Sequence, residues 1–185
     1  EQTIATNPMR GSPFARQSNI DIETGEKIPL DDPRMAYQKG NRLWHADSTF
    51  KDPPSLCSIL SAREVPPTGG ATEFISTAYA YDKLDIKLRN KLEGLIVEHD
   101  FVYSRRLTGF YMTEDQQQEL PAAHHPLVRV NPFTGRKSLM IGAHAKKIVG
   151  WPLQKGRELL DDLLRRATKE QHVYRHEWKA GDVIV

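Results

Sequence analysis

The sequence predicts a mainly β protein, a β-sandwich or jelly roll with helical insertions. Many short runs of strand-forming residues are separated by Pro- and Gly-containing turns, a pattern typical of antiparallel sheets. Runs of four leucines at helical spacing begin at Leu84 and at Leu159 and predict two amphipathic helices. The 185 residues suffice for one domain with a sizeable core.

Composition excludes several classes of protein. Hydrophobic residues make up 38% and charged residues 27%, which is typical of a globular chain. The formal charge of +2 is spread along the sequence without a basic stripe, so no nucleic-acid partner is predicted. Neither a membrane-spanning run nor a signal peptide is visible, so we expect no membrane partner.

The single cysteine excludes an intrachain disulfide framework and a cysteine-cluster zinc site. Cys57 lies in an apolar, strand-like run, so we predict a buried thiol. A cytoplasmic location is the matching expectation.

Residues 1–40 are rich in Pro, Gly, Asn and charge, and are predicted to form an irregular lead-in. Because they directly precede a candidate metal-binding segment, they are candidates for an active-site loop. A mobile surface segment is the equal alternative. Residues 41–185 form the predicted jelly-roll domain, which the sequence suggests is partial.

Within this domain the pattern alternates between strands and helices. The predicted strands cover residues 43–50, 56–64, 71–75, 96–103, 127–130, 138–141, 173–178 and 182–185. The first helix carries Leu84, Leu88, Leu92 and Leu95, with Asp85 as its N-cap. Thr113 and Gln116 have capping-box spacing at the start of a short polar helix. The last predicted helix runs over residues 153–168.

The candidate chemistry begins with a His-x-Asp pair, His45 and Asp47, in the first predicted strand. Side chains at i and i+2 of a strand point to the same face, so an imidazole and a carboxylate can meet at one point. These are two of the three ligands of the 2-His-1-carboxylate triad that holds non-haem Fe(II). Alone, the tripeptide is a weak signal.

The motifs around the His-x-Asp pair strengthen this signal. They are Leu43-Trp44-His45-x-Asp47-Ser48-x-Phe50, Val65-Pro66-Pro67-Thr68-Gly69-Gly70-x-Thr72-Glu73-Phe74, Ser104-Arg105, Ile141-Gly142-Ala143-His144-Ala145 and Tyr174-Arg175-His176. Through them the sequence resembles the taurine dioxygenase / 2,4-dichlorophenoxyacetate dioxygenase family over residues 41–185, and is closer to the phenoxyacetate branch. These are Fe(II)- and 2-oxoglutarate-dependent oxygenases with a double-stranded β-helix (jelly-roll, cupin-like) fold.

The resemblance implies roles for individual residues. His45 and Asp47 would be metal ligands and catalytic, and Thr72 would hydrogen-bond the distal carboxylate of the co-substrate 2-oxoglutarate. Asn41, Ser104 and Arg105 match pocket-lining positions, and an arginine there suits an anionic substrate. A solvated surface charge is the equal alternative for Arg105. The implied reaction hydroxylates a small anionic carboxylate or sulfonate with molecular oxygen, while 2-oxoglutarate yields succinate and CO₂. A homo-oligomer is also implied.

The family's second iron-binding histidine and its 2-oxoglutarate-binding arginine are expected beyond Val185. His176 is more simply a structural histidine than a replacement ligand, and His124 and His125 are expected at the surface of a Pro-flanked loop. His99 is expected in the core or behind the site. Two alternatives remain: a truncated, non-catalytic jelly-roll or oligomerisation module, and a zinc-dependent hydrolase.

Overall fold

The computed structural model describes residues 7–8, 15–21 and 23–185. Within these ranges short strands alternate with helices, and every strand pairing is antiparallel. The strands are β1 (Asn7–Pro8), β2 (Ala15–Arg16), β3 (Leu60–Ser61), β4 (Thr72–Phe74), β5 (Ile96–His99), β6 (Ala123–Pro126), β7 (Val128–Val130), β8 (Lys137–Leu139), β9 (Ala145–Ile148), β10 (Tyr174–His176) and β11 (Val183–Ile184). The α-helices are α1 (Pro33–Gln38), α2 (Thr77–Asp82), α3 (Ile86–Leu92), α4 (Phe101–Arg106), α5 (Glu114–Gln118) and α6 (Leu153–Ala167), with 3₁₀ turns at Lys39–Arg42 and Glu170–His172.

The chain divides into two compact units, which are described separately. The first combines Glu1–Trp44 with Phe101–Pro121, and the second combines His45–Asp100 with Ala122–Val185. The first unit contains β1, β2, α1, α4 and α5. No helix among the described residues is long and apolar enough to cross a bilayer.

Strand pairing in the second unit joins segments that are far apart in the sequence. β4 pairs with β10, with Thr72 opposite His176, and β3 pairs with β11. β5 is the centre of a three-stranded sheet between β6 and β9. Pairing of distant strands, rather than of neighbours alone, is how a jelly roll is wound.

The core of the second unit forms where α6 packs on β9. Leu159, Leu160, Leu163 and Ala167 are buried on one face of the helix, as the sequence spacing predicts. Gly156 allows the close approach, because a Cβ there would lie 3.3 Å from the Ile148 nitrogen.

Several local predictions are confirmed. The Asp85 carboxylate accepts a hydrogen bond from the Leu88 nitrogen at 2.9 Å and caps α3. Thr113 and Gln116 form the reciprocal capping box at the start of α5. β7 and β8 overlap the strands predicted over residues 127–130 and 138–141, and they pair as a hairpin with Val128 opposite Leu139. Each of these features depends on residues close together in the sequence.

The strand predicted over residues 56–64 is wrong except for Leu60–Ser61. Leu60 and Ser61 pair with β11, and Ala62 continues with backbone hydrogen bonds to Gly181 and Asp182, whereas the preceding residues join no ladder among the described residues. Leu56 is 92% exposed, and Cys57 is exposed rather than buried. An apolar run without a pairing strand does not become a core strand.

The strand predicted over residues 96–103 ends at His99. The register shifts between Glu98 and His99, and the Asp100 nitrogen then donates to the His144 carbonyl at 2.8 Å. The chain continues into α4, whose buried positions, Phe101, Val102, Ser104 and Arg105, have helical spacing.

The surface prediction for His124 and His125 is half wrong, because both lie in β6. Alternation along the strand leaves the His124 side chain half exposed and buries His125 at 8% exposure. The His125 Nε2 atom lies 3.0 Å from the Lys51 carbonyl oxygen. His99 is a core residue at 1% exposure, and its ring centroid lies 5.5 Å from that of His125.

Candidate functional site

His45 and Asp47 converge, although the strand predicted over residues 43–50 is wrong. The His45 Nε2 atom lies 3.3 Å from Asp47 Oδ1. Residues 44–46 are irregular and residues 47–50 form a turn, in which Ser48 has a φ of 60°. The Lys51 nitrogen donates to the Ser48 carbonyl at 2.9 Å and closes the turn. The left-handed residue ends any strand, and the turn rather than a pleat holds Asp47 beside His45.

The surroundings of Asp47 favour its ionised form. The hydrogen bond with His45 is the main cause that lowers the Asp47 pKa to about 2, and Ser58 contributes a second hydrogen bond. Partial burial opposes these effects. Asp47 is therefore a carboxylate across the physiological pH range, as a hard anionic metal ligand must be.

Aromatic rings pack behind this pair. The His144 ring lies edge-on to His45 at 6.0 Å and edge-on to Phe50 at 4.9 Å between ring centroids. His144 is 3% exposed. The buried His144 ring restricts the His45 imidazole on one side and leaves the side that faces Asp47 open.

The donor pair fits a metal ion. Two adjacent ligands of an octahedral ion with bonds of about 2.1 Å lie roughly 3 Å apart, close to the spacing found here. Imidazole and carboxylate together match two positions of the Fe(II) triad. In the described part of the chain, no group of three His, Cys, Asp or Glu side chains could hold a metal. His45 and Asp47 thus provide two ligands.

Thr72 lies at the start of β4, and its side chain is tied to Trp178. The indole Nε1 donates to Thr72 Oγ1 at 2.8 Å. Opposite Thr72 in β10 is His176, whose Nε2 lies 3.0 Å from the Asp182 carboxylate. The His176 ring lies edge-on to Trp178 at 4.6 Å. These contacts are the structural role expected for His176.

Arg105 is buried in the first unit, so its interpretation as a solvated surface charge is wrong. It is 5% exposed, and its guanidinium lies 4.6 Å from the Tyr37 ring centroid and 4.5 Å from that of Phe101. Its Nη1 donates to the Tyr37 carbonyl at 3.1 Å. A Cβ on Gly40 would lie 1.6 Å from that nitrogen, so the glycine leaves the space that the guanidinium fills.

The other two predicted pocket residues also lie in the first unit. Asn41 is exposed, and its Nδ2 donates to Gln17 Oε1 at 3.0 Å. Ser104 is 2% exposed, and its hydroxyl donates to the Phe101 carbonyl at 2.7 Å within α4. Their roles toward a substrate stay predictions.

Sequence reasoning missed several residues that shape these groups. Trp178, Ser58 and Gly40 contact Thr72, Asp47 and Arg105 respectively. The alternation of Tyr174, His176 and Trp178 was the available signal for Trp178, because it places them on one face of β10 and its extension. Ser58 and Gly40 carry no comparable local signal.

Comparison with known proteins places the chain in a family. The model described as "Taurine catabolism dioxygenase TauD, TfdA family" matches residues 5–185. The chain is 43% identical over 169 residues to the alpha-ketoglutarate-dependent 2,4-dichlorophenoxyacetate dioxygenase of Cupriavidus pinatubonensis, covering 91% of this chain and 58% of that protein. It is 35% identical to the (S)-phenoxypropionate/alpha-ketoglutarate-dioxygenase of Sphingobium herbicidovorans, covering 93% and 63% respectively.

A solved structure supports the same family and fold. The crystal structure of AAD-2 in complex with Mn(II) and N-oxalylglycine is similar with a TM-score of 0.84 and 40% identity, covering 89% of this chain and 60% of that one. The predicted cupin-like jelly roll is thereby confirmed. The chain spans about 60% of the length of these proteins. This chain belongs to the TauD, TfdA family of dioxygenases.

Proposed function

We propose that the protein is an Fe(II)- and 2-oxoglutarate-dependent dioxygenase that hydroxylates a small anionic organic molecule. The observation that carries this proposal is the His45–Asp47 pair, 3.3 Å apart in a chain of this family. Its relatives are named as alpha-ketoglutarate-dependent dioxygenases.

The described residues have distinct tasks in this proposal. His45 and Asp47 would hold the iron through one neutral and one anionic donor. Bound there, Fe(II) would supply the activation of dioxygen that protein side chains lack. Thr72 would donate its hydroxyl hydrogen to the distal carboxylate of 2-oxoglutarate. His144, which itself packs against Phe50, restricts the His45 ring, so that the donor atoms keep their positions.

Arg105 supports an anionic substrate class. A guanidinium stays cationic at every physiological pH, and its charge suits a carboxylate or sulfonate. Its burial between Tyr37 and Phe101 fixes its plane, which favours directional recognition. We propose a carboxylate or sulfonate as the group that it recognises.

The test of the reaction uses the natural full-length protein. Anaerobic addition of Fe(II) and 2-oxoglutarate should give a weak metal-to-ligand charge-transfer absorption band, and oxygen should then yield succinate. Asp47→Ala should abolish both, because one ligand and the only anionic donor of the pair are removed. The matched control Asp31→Ala, an exposed carboxylate, should keep both. Absence of the band in the unaltered protein would refute the proposal.

The substrate class is tested with a panel of phenoxyacetates, sulfonates and their neutral amides, with oxygen consumption as the readout. Arg105→Gln should raise the KM for anionic substrates far more than for neutral ones. Arg106→Gln, an exposed neighbour on the same helix, should leave the ranking unchanged. Equal losses for anionic and neutral substrates would remove Arg105 from substrate recognition.

A cytoplasmic location and a homo-oligomeric assembly complete the proposal. The first is supported by the single cysteine of the chain, and the second by the family resemblance. Fractionation of the source cells and light scattering of the purified protein test them.

A further inference from the structure

The hydrogen bond between Trp178 and Thr72 has a fixed direction. The indole N–H is a donor only, so the Thr72 hydroxyl oxygen must be the acceptor at 2.8 Å. A hydroxyl that accepts through one lone pair still carries its hydrogen, and that hydrogen must point away from the indole. Trp178 therefore orients the Thr72 hydroxyl as a donor toward a third group.

The indole is itself held in place. Trp178 follows β10 by two residues, and its ring lies edge-on to His176 at 4.6 Å. The Asp182 carboxylate lies 3.0 Å from His176 Nε2 and also accepts from the Lys179 nitrogen at 2.8 Å. The turn after β10 thus fixes the imidazole, and the imidazole limits rotation of the indole.

The backbone of Thr72 pairs with β10, where it lies opposite His176. Both ends of the hydrogen bond therefore depend on the β4–β10 pairing. Trp178 is partly buried, which limits competition from water for the indole N–H. The hydroxyl is pre-oriented before any ligand arrives.

We propose that Trp178 is a positioning residue for co-substrate binding, which directs the Thr72 hydroxyl hydrogen at a carboxylate of 2-oxoglutarate. This inference rests on the proposed function. Its physical basis is preorganisation, because a donor that is already oriented loses less rotational freedom on binding. A purely structural tie between β4 and β10 would instead contribute to stability and leave ligand affinity unchanged.

The first test measures 2-oxoglutarate affinity by anaerobic calorimetry with Fe(II) and the full-length protein. Trp178→Phe keeps an aromatic ring but removes the donor, and should weaken binding by about 5- to 10-fold, the effect of one lost hydrogen bond. Thr72→Val should weaken binding at least as much. In the Thr72→Val background, Trp178→Phe should have little further effect, because the indole acts through the hydroxyl.

The controls separate this role from general damage. Trp151→Phe makes the same chemical change at a tryptophan that contacts Lys91 and Lys155, and should not alter the affinity. Thr72→Ser keeps a hydroxyl and should retain sensitivity to Trp178→Phe. Unchanged affinity in Trp178→Phe, or additive losses in the double variant, would overturn the inference while the proposed function stands.

A second measurement needs no variant that could fail to fold. The indole ¹H–¹⁵N resonance of Trp178 should move when 2-oxoglutarate is added with Zn(II), a diamagnetic ion that takes the same ligands. The shift should follow the same binding curve as calorimetry. A resonance unmoved at saturation would overturn the inference. If the unaltered protein binds no 2-oxoglutarate, the proposed function fails and this inference fails with it.

Discussion

His45 Nε2 and Asp47 Oδ1 lie 3.3 Å apart across Ala46, in a segment that belongs to no strand. The turn that follows depends on Ser48, the non-glycine residue with a φ of 60°. A left-handed conformation costs an L-residue about 1–2 kcal/mol, and most for β-branched side chains. The geometry of the pair is therefore maintained by one strained residue beside it.

This relationship predicts opposite effects of two substitutions at Ser48. Ser48→Gly should keep Mn(II) affinity within about twofold, because glycine adopts a positive φ readily. Ser48→Val should weaken Mn(II) binding severalfold, since a β-branched residue adopts a positive φ less readily than serine. Titration followed by electron paramagnetic resonance measures both. Equal affinities in the two variants would show that the turn does not position Asp47.

Gly40 is predicted to be the residue that admits the Arg105 guanidinium. Gly40→Ala should destabilise the protein by about 1–3 kcal/mol, because its Cβ would lie 1.6 Å from Arg105 Nη1. In an Arg105→Leu background, where the guanidinium is absent, the same change should cost much less. Urea unfolding of the four proteins measures the coupling. Additive free energies would contradict the proposed contact.

We predict that His99 lowers the free energy of unfolding of the protein at acidic pH. Burial and the nearby His125 lower its pKa from 6.5 to about 4, and the Met140 main chain offsets this only in part. Neither ring nitrogen makes a hydrogen bond of normal geometry within the described residues. Between these two pH values the unfolded chain binds more protons, so the free energy of unfolding falls as the pH drops through this window.

The full effect is on the order of 3 kcal/mol and is complete below the folded pKa. Urea unfolding at pH 7, 5.5 and 4 should show this loss in the unaltered protein and a smaller loss in His99→Leu. The matched variant His124→Leu, at a half-exposed position, should retain the acid sensitivity. Identical pH profiles for His99→Leu and the unaltered protein would contradict this assignment.

Substitutions on the buried face of α6 should give the largest loss of stability. Leu163 is 0% exposed, and Leu163→Ala should destabilise the protein by about 2–5 kcal/mol through lost burial and a cavity. Leu153, in the same helix, is 59% exposed, and Leu153→Ala should change stability by less than about 0.5 kcal/mol. Thermal unfolding compares the two. Similar melting temperatures would mean that the helix does not pack as described.

Features whose causes lie close together in the chain could be predicted from the sequence alone. Residue spacing that matches the helix period predicts the caps at Asp85 and Thr113 and the leucine face of α6. The His45–Asp47 pair was found from its spacing, although the pleat that motivated it is absent. The family motifs then supplied its meaning.

Features that depend on partners distant in the sequence became visible only in the folded protein. Cys57 is exposed because its apolar run lacks a pairing strand among the described residues, and His125 is buried because β6 pairs with β5. Trp178 reaches Thr72 only because β10 lies beside β4. Local patterns record the period of each element, whereas burial and hydrogen-bond partners are set by which elements meet.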